Sequence, residues 1–166
     1  KFDEALRELQ ILDRLGAGRD DAATRLLVAA AWGAYHLTRA ESADALPRYR
    51  EAIAALRASE PDAIAQRDAL RLDLVNLLAQ VGKTAEARRE GDALIRDNEA
   101  GSGGNDLMAA FAKAAVARTR TQAGELDAAE AELLDAQKTI VARLGENHSR
   151  NLMLTNDLYR IAVERR

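Results

Sequence analysis

The chain has 166 residues with a formal net charge of −3, and 48% of its residues are hydrophobic but only 4% are aromatic. Its 24 basic and 27 acidic residues are interspersed, so the clustered basic face of a nucleic-acid-binding protein is absent from the sequence. No apolar run approaches the roughly 20 residues that cross a bilayer. The absence of cysteine excludes disulfides and thiolate metal sites and leaves the compartment open. Alanine supplies much of the apolar content and strand formers are scarce, which predicts an all-α protein.

Apolar residues recur at intervals of three and four along the chain, as in helices that bury one face. In chain order, the pattern predicts eight helices over about 2–15, 20–37, 42–58, 60–82, 84–98, 105–122, 126–144 and 150–166. The connections between them are short, which favours antiparallel neighbours.

Local signals at the helix ends lead to specific expectations. Ser42, Ser59 and Thr84 are candidate N-cap residues, because a side-chain oxygen there accepts a hydrogen bond from the first turn. Pro47 is expected near a first turn, where a missing N–H costs little, and Pro61 is a helix-start signal. The stretch "GSGGN" and the "GENHS" turn that ends at Ser149 are expected to be loops.

Two similar stretches lie 42 residues apart: "QVGKTAEARRE" begins at Gln80 and "QAGELDAAEAE" begins at Gln122. The same interval separates the small residues Ala45, Ala87 and Ala129, and the larger residues Trp32, Leu74, Val116 and Leu158. Small residues let two backbones approach, and large ones fill the space beside them. The interval therefore predicts stacked helical hairpins, since one hairpin cannot bury its apolar face alone. A non-repeating alanine-rich bundle is the alternative.

These units resemble the tetratricopeptide repeat. "QAGELDAAEAELLDA" matches the pattern well, and "LGENHSRNLMLTNDLYRIA" is similar to a stretch of the 42-residue variety found in kinesin light chains. Gly91 stands where the pattern usually has a bulky residue, and Val75 stands where it has a small one. The resemblance implies a right-handed α–α superhelix, a solenoid of about eight antiparallel helices. It divides a single domain, 1–166, into a partial unit 1–19, units of about 20–60, 61–103 and 104–147, and a partial unit 148–166.

The chain opens "KFDEALRELQ", without an initiator methionine and already in helical periodicity. We therefore expect a fragment of a larger protein, which the resemblance and an Ala, Arg, Asp and Leu bias suggest to be a bacterial regulatory protein. A cytoplasmic location is favoured, and a periplasmic one stays open if the parent protein has a transmembrane segment.

The sequence offers no catalytic constellation. His36 and His148 are expected at opposite ends of the solenoid, so we predict no shared metal site, no cofactor and no catalytic residue. "GSGGN" lacks the lysine of a phosphate-binding loop. Trp32 and Tyr35 are expected to be core packing.

The resemblance implies that the first helix of each unit lines a concave surface that binds a peptide. The candidate contact residues there are Asn76, Arg118, Arg160, Leu72, Asn156 and Phe111. An asparagine can hold a peptide backbone, and an arginine can bind a carboxylate through two hydrogen bonds. Ala114 stands where a full carboxylate clamp would have a lysine. In the alternative interpretation, the two arginines are solvated or pair with Asp73 and Asp157.

The sequence thus predicts a protein–protein interaction scaffold or regulatory module that binds a peptide or protein segment. The alternative is a helical-repeat domain that senses a small-molecule effector in a bacterial transcriptional regulator or receptor kinase. An apolar face of Leu154, Leu158 and Ile161 is expected to stay uncovered, which would allow a homodimer through a solenoid end.

Overall fold

The structure is a computed structural model that describes residues 2–16, 22–39, 41–56, 61–100 and 105–166. All regular secondary structure in these ranges is α-helical. The helices are α1 (Phe2–Gly16), α2 (Ala22–Thr38), α3 (Ser42–Ala55), α4 (Pro61–Gln80), α5 (Thr84–Ala100), α6 (Asp106–Gln122), α7 (Leu126–Leu144) and α8 (Ser149–Glu164). The all-α prediction is confirmed, and the bounds of the helices lie close to the expected ones.

The helix boundaries follow the 42-residue interval of the sequence. Helices α3, α5 and α7 begin at Ser42, Thr84 and Leu126, and helices α2, α4, α6 and α8 end at Thr38, Gln80, Gln122 and Glu164. Gly82 and Gly124 both adopt a φ of 77° in the turns that follow α4 and α6. Glycine reaches this left-handed conformation without the steric penalty that a Cβ atom would bring.

Burial follows the same interval. Ala45, Ala87 and Ala129 are each 0% exposed, as expected for a site where helices approach closely. A second buried set at this interval consists of Ala52, Leu94 and Ala136, and a third of Gly33, Val75 and Ala117. These positions 42 residues apart thus share the same burial, as expected for a helical repeat.

The chain forms two compact units, residues 1–82 and 83–166. In unit one, α2 packs against α3, and α3 packs against α4. Gly33 allows the α2–α3 approach, because a Cβ atom built on it would lie 2.7 Å from Cε2 of the Tyr49 ring. Tyr49 is buried, together with Leu46 and Ala52 of the same helix.

In unit two, an ion pair and a hydrogen bond between opposite helix ends show the antiparallel arrangement. Arg143, near the end of α7, donates to Asp106 at the start of α6, with Nη2 and Oδ2 2.6 Å apart. Arg88, near the start of α5, donates from Nε to Oγ1 of Thr119 near the end of α6, at 3.2 Å.

The core of unit two lies between α6, α7 and α8. Its buried members are Ala110, Ala114, Ala117, Ala129, Leu133, Ala136, Ile140, Leu154 and Ile161. Alanines supply most of the α6 contribution, so the larger side chains of α7 and α8 fill this core.

Several local predictions need correction. Glu41 precedes α3 as its N-cap, so Ser42 is already helical. The Lys83 carbonyl accepts from the Ala87 N–H at 3.0 Å, so Thr84 is likewise the first helical residue of α5 and not its cap. Pro47 lies inside α3 beyond the first turn. Its missing N–H therefore removes one helical hydrogen bond. Ser59 and residues 101–104 lie outside the described residues.

The C-terminal part of the chain also differs from expectation. Ser149 begins α8 and is not in a loop, because His148 caps the helix by accepting the Arg150 N–H on Nδ1 at 3.2 Å. The expected uncovered face is wrong, since Leu154 and Ile161 are buried in the core of unit two and Leu158 packs against that core. The exposed apolar side chains of α8 are instead Leu152, Met153, Tyr159 and Val163.

Candidate functional site

One candidate surface lies where α8 meets α6 in unit two. Arg118 of α6 donates from Nε to Oδ2 of Asp157 of α8 at 2.7 Å. Arg160 approaches the other oxygen of the same carboxylate, with Nη1 3.8 Å from Oδ1. The Asp157 side chain is only 12% exposed, whereas that of Arg160 is 54% exposed. The alternative prediction for the arginines is confirmed for their pairing with Asp157.

An aromatic–cation pair continues this surface. The Arg150 guanidinium lies 4.8 Å from the ring centroid of Phe111, a separation at which the ring attracts the cation. Phe111 is half-buried, and Asn156 and Met153 are exposed. We call this surface the α6/α8 face; it is formed by Phe111, Arg118, Arg150, Met153, Asn156, Asp157 and Arg160. It brings together four of the six predicted contact residues.

The other two predicted contact residues lie on α4 of unit one. The Asn76 amide donates from Nδ2 to the Leu72 carbonyl at 3.0 Å, so one of its donors is used within its own helix. Leu72 is buried, so its side chain does not offer the exposed contact that was predicted.

A second cluster, which sequence reasoning missed, lies at the turn between α2 and α3. His36 Nδ1 lies 2.9 Å from Glu41 Oε2, and Arg39 donates from Nε to Glu41 Oε1 at 2.6 Å. Hydrogen bonding from Arg39, and then from His36, lowers the pKa of the Glu41 carboxyl. The carboxylate of Asp44 lies in the same group. The signal in the sequence that could have found this cluster is the spacing of His36, Glu41 and Asp44 across a predicted turn.

Aromatic rings surround His36 on its own helix. Trp32 stacks on the imidazole, with ring centroids 5.7 Å apart and planes 26° apart. Tyr35 meets the imidazole edge to face, with centroids 5.6 Å apart. Trp32 and Tyr35 are half-buried, which agrees only in part with the expectation that they form core packing.

A groove runs between α5 and α7 over α6, with a cavity volume of about 420 Å³. Its lining residues are Asp92, Ile95, Arg96, Lys113, Ala131, Glu132 and Asp135. Lys113 Nζ lies 2.7 Å from a carboxylate oxygen of both Glu99 and Asp135. Burial raises the pKa of Glu132, although Arg120 opposes the shift.

Comparison with known proteins adds one finding about the fold. No family model and no curated protein matches the chain. Among solved structures, the chain is similar to the crystal structure of BtubC (BKLC) from P. vanneervenii, with a TM-score of 0.73 and 17% sequence identity. The match covers 99% of this chain and 65% of BtubC, so the chain spans less than two thirds of that protein. This likeness places the chain among all-α helical-repeat folds.

In the described ranges, no helix combines the length and the apolar character that crossing a bilayer requires.

Proposed function

We propose that this chain is a protein-interaction module of the tetratricopeptide type, whose α6/α8 face binds an acidic peptide or protein segment. The observation that carries the proposal is the charge of that face. It presents Arg118 and Arg160 at the carboxylate of Asp157, and a third cation, Arg150, over the ring of Phe111. The helical-repeat fold supports a scaffold of this general kind.

The geometry gives the arginines different roles. Arg118 is held against Asp157 by a short, charge-assisted hydrogen bond. Arg160 makes only a 3.8 Å approach to Asp157 and is mostly exposed, so its guanidinium is available to a ligand carboxylate. Bidentate binding of a carboxylate would use the planar fork of Arg160.

The remaining side chains of the α6/α8 face provide neutral contacts. Asn156 is exposed and offers a donor and an acceptor to a peptide backbone. Met153 is exposed and Phe111 is half-buried, and both supply apolar surface to a ligand side chain. A ligand with a carboxylate next to an apolar residue fits this combination. In unit one we assign a separate backbone contact to Asn76, one turn after the buried Leu72.

The test is selection from a displayed library of ten-residue peptides, followed by affinity measurements on the peptides recovered. We expect enrichment of aspartate and glutamate, and we expect Arg160→Ala to weaken binding about tenfold, which corresponds to about 1.4 kcal/mol. Arg143→Ala is the matched control, because Arg143 is a comparably exposed arginine paired with Asp106 between α6 and α7. Equal affinities of the two variants would refute binding at Arg160.

A second candidate function is effector sensing through the α5/α7 groove. Its volume of about 420 Å³ lies in the usual range of small-molecule sites, about 300–1,000 Å³. Such a module would belong to a bacterial regulator or receptor kinase and would itself be non-enzymatic. Thermal-shift screening of amines and amino acids would detect it. Stabilisation that survives Arg160→Ala but not Lys113→Met would favour this function.

We also propose that the chain can form a homodimer through the exposed apolar side chains Leu152, Tyr159 and Val163 of α8. Sedimentation equilibrium of wild type and Tyr159→Asp measures it. A monomer at all accessible concentrations would exclude a homodimer.

A further inference from the structure

We propose that His36, Glu41 and Asp44 form a binding site for one divalent transition-metal ion, with Zn²⁺ as the best chemical match. The site lies in unit one and is independent of the α6/α8 face. Its donors come from the end of α2, from the connecting turn and from the first turn of α3. One ligand atom from each residue lies within 4.8 Å of the other two.

The spacing of the first two donors suits a shared metal ion. His36 Nδ1 and Glu41 Oε2 are 2.9 Å apart. Metal–ligand bonds of about 2.0–2.2 Å, as zinc makes to nitrogen and oxygen, place two neighbouring ligands about 2.9–3.4 Å apart. The ion would replace the proton of the hydrogen bond between these two atoms, since metal ligands bind in their deprotonated form. Asp44 is exposed and closes the third position from the solvent side, and water completes the coordination.

The surrounding side chains hold two of the ligands in place. Arg39 donates to Oε1 of Glu41, which leaves Oε2 of that carboxylate directed at His36. A hydrogen-bonded partner behind a metal-binding carboxylate is a usual feature of metal sites. Trp32 stacks on the His36 ring.

The ligand set also selects among metals. One imidazole nitrogen and two carboxylates suit Zn²⁺, Cu²⁺ or Ni²⁺, whereas Ca²⁺ and Mg²⁺ prefer oxygen ligands alone. The two carboxylates neutralise a divalent ion, but the positive charge of Arg39 opposes it. We therefore expect binding in the micromolar range, well short of a structural zinc site.

The chain provides its own reporter for the site. Trp32 is the only tryptophan, and its ring centroid is 5.7 Å from that of His36. Titration of the whole chain with Cu²⁺ should quench Trp32 fluorescence, because a paramagnetic ion at His36 would lie beside the indole. Calorimetric titration with Zn²⁺ should give one ion per chain.

Three variants make the experiment decisive. His36→Gln and Asp44→Asn should each weaken Zn²⁺ binding at least tenfold and abolish quenching at the Cu²⁺ concentration that saturates the wild type. Asp44 is exposed, so its variant keeps the fold even if His36→Gln does not. His148→Asn is the control, since it removes the other histidine and retains a helix-capping side chain.

Loss of binding in the two cluster variants, with normal binding in His148→Asn, would support the site. Wild-type affinity in Asp44→Asn would overturn it, and so would the absence of Zn²⁺ binding by the wild type at millimolar concentration. Loss of binding in His148→Asn alone would place the ion elsewhere and would also overturn it.

Discussion

The close approach of α2 and α3 at Gly33 predicts that Gly33→Ala destabilises the protein. Alanine is normally better than glycine inside a helix by about 0.5–1 kcal/mol, so helix propensity alone predicts stabilisation. A Cβ atom at position 33, however, would lie 2.7 Å from Cε2 and 2.9 Å from Cδ2 of Tyr49. Carbon atoms pack best at about 3.5–4.0 Å, so the buried ring would have to move.

The magnitude follows from two opposing effects. Overpacking a buried site by one methyl group costs about 1–3 kcal/mol, and the gain in helix propensity offsets about 0.5–1 kcal/mol of it. We therefore expect Gly33→Ala to lower the free energy of unfolding by about 1 kcal/mol. The sign is more informative than the size, because propensity and packing predict opposite signs.

Urea unfolding monitored by Trp32 fluorescence measures this effect, since the only tryptophan lies next to Gly33 in α2. Ala34→Gly, at the exposed neighbouring position, calibrates the cost of glycine in the same turn at about 1 kcal/mol. In a Tyr49→Leu background, the smaller side chain should reduce or reverse the cost of Gly33→Ala. A stabilisation of about 1 kcal/mol by Gly33→Ala with Tyr49 intact would refute the close approach of α2 and α3.

Two further predictions concern unit two. Leu133 is 0% exposed and its neighbour Leu134 is 44% exposed. In urea unfolding, Leu133→Ala should lower the free energy of unfolding by about 2–5 kcal/mol, and Leu134→Ala by less than about 1 kcal/mol. Equal losses would contradict the packing of α7. The hydrogen bond from Lys113 lowers the pKa of Asp135. The ionised Asp135 carboxylate therefore stabilises the fold above the ordinary pKa of aspartate, and this stabilisation is lost as the pH falls through the lowered pKa. In Lys113→Met, NMR titration should find the pKa of Asp135 raised relative to wild type, and an unchanged value would show that the hydrogen bond does not persist in solution.

The fold was predictable because its determinants are periodic in the sequence. The approach of neighbouring helices requires a small residue at Ala45, Ala87 and Ala129. The 42-residue interval shows this requirement in the sequence itself. The predictions of N-cap residues were wrong where a polar residue can either cap a helix or begin it. Ser42 and Thr84 are good caps by residue type, yet each lies one residue inside its helix. His148 takes the cap of α8 because its Nδ1 can accept the Arg150 N–H as a shorter polar side chain would.

The candidate sites were less predictable, because they depend on side-chain contacts between helices. The 42-residue interval placed Arg118 and Arg160 at equivalent positions, and the sequence also included Asp157 as a possible ion-pair partner. It could not decide which arginine holds that carboxylate more tightly. The cluster at His36 was missed for a related reason, since whether Glu41 and Asp44 reach the imidazole depends on how the turn between α2 and α3 closes.

The unequal distances around Asp157 bear on how the proposed ligand would bind to the α6/α8 face. A carboxylate held at 2.7 Å by Arg118 links α8 to α6, and its low exposure reduces screening by solvent. The same carboxylate lies 3.8 Å from Arg160, too far for a hydrogen bond to that guanidinium. An acidic ligand that binds Arg160 therefore replaces a weak contact and leaves the interhelical one intact. Under the proposed function, a ligand would therefore bind the α6/α8 face without loosening the packing of α8.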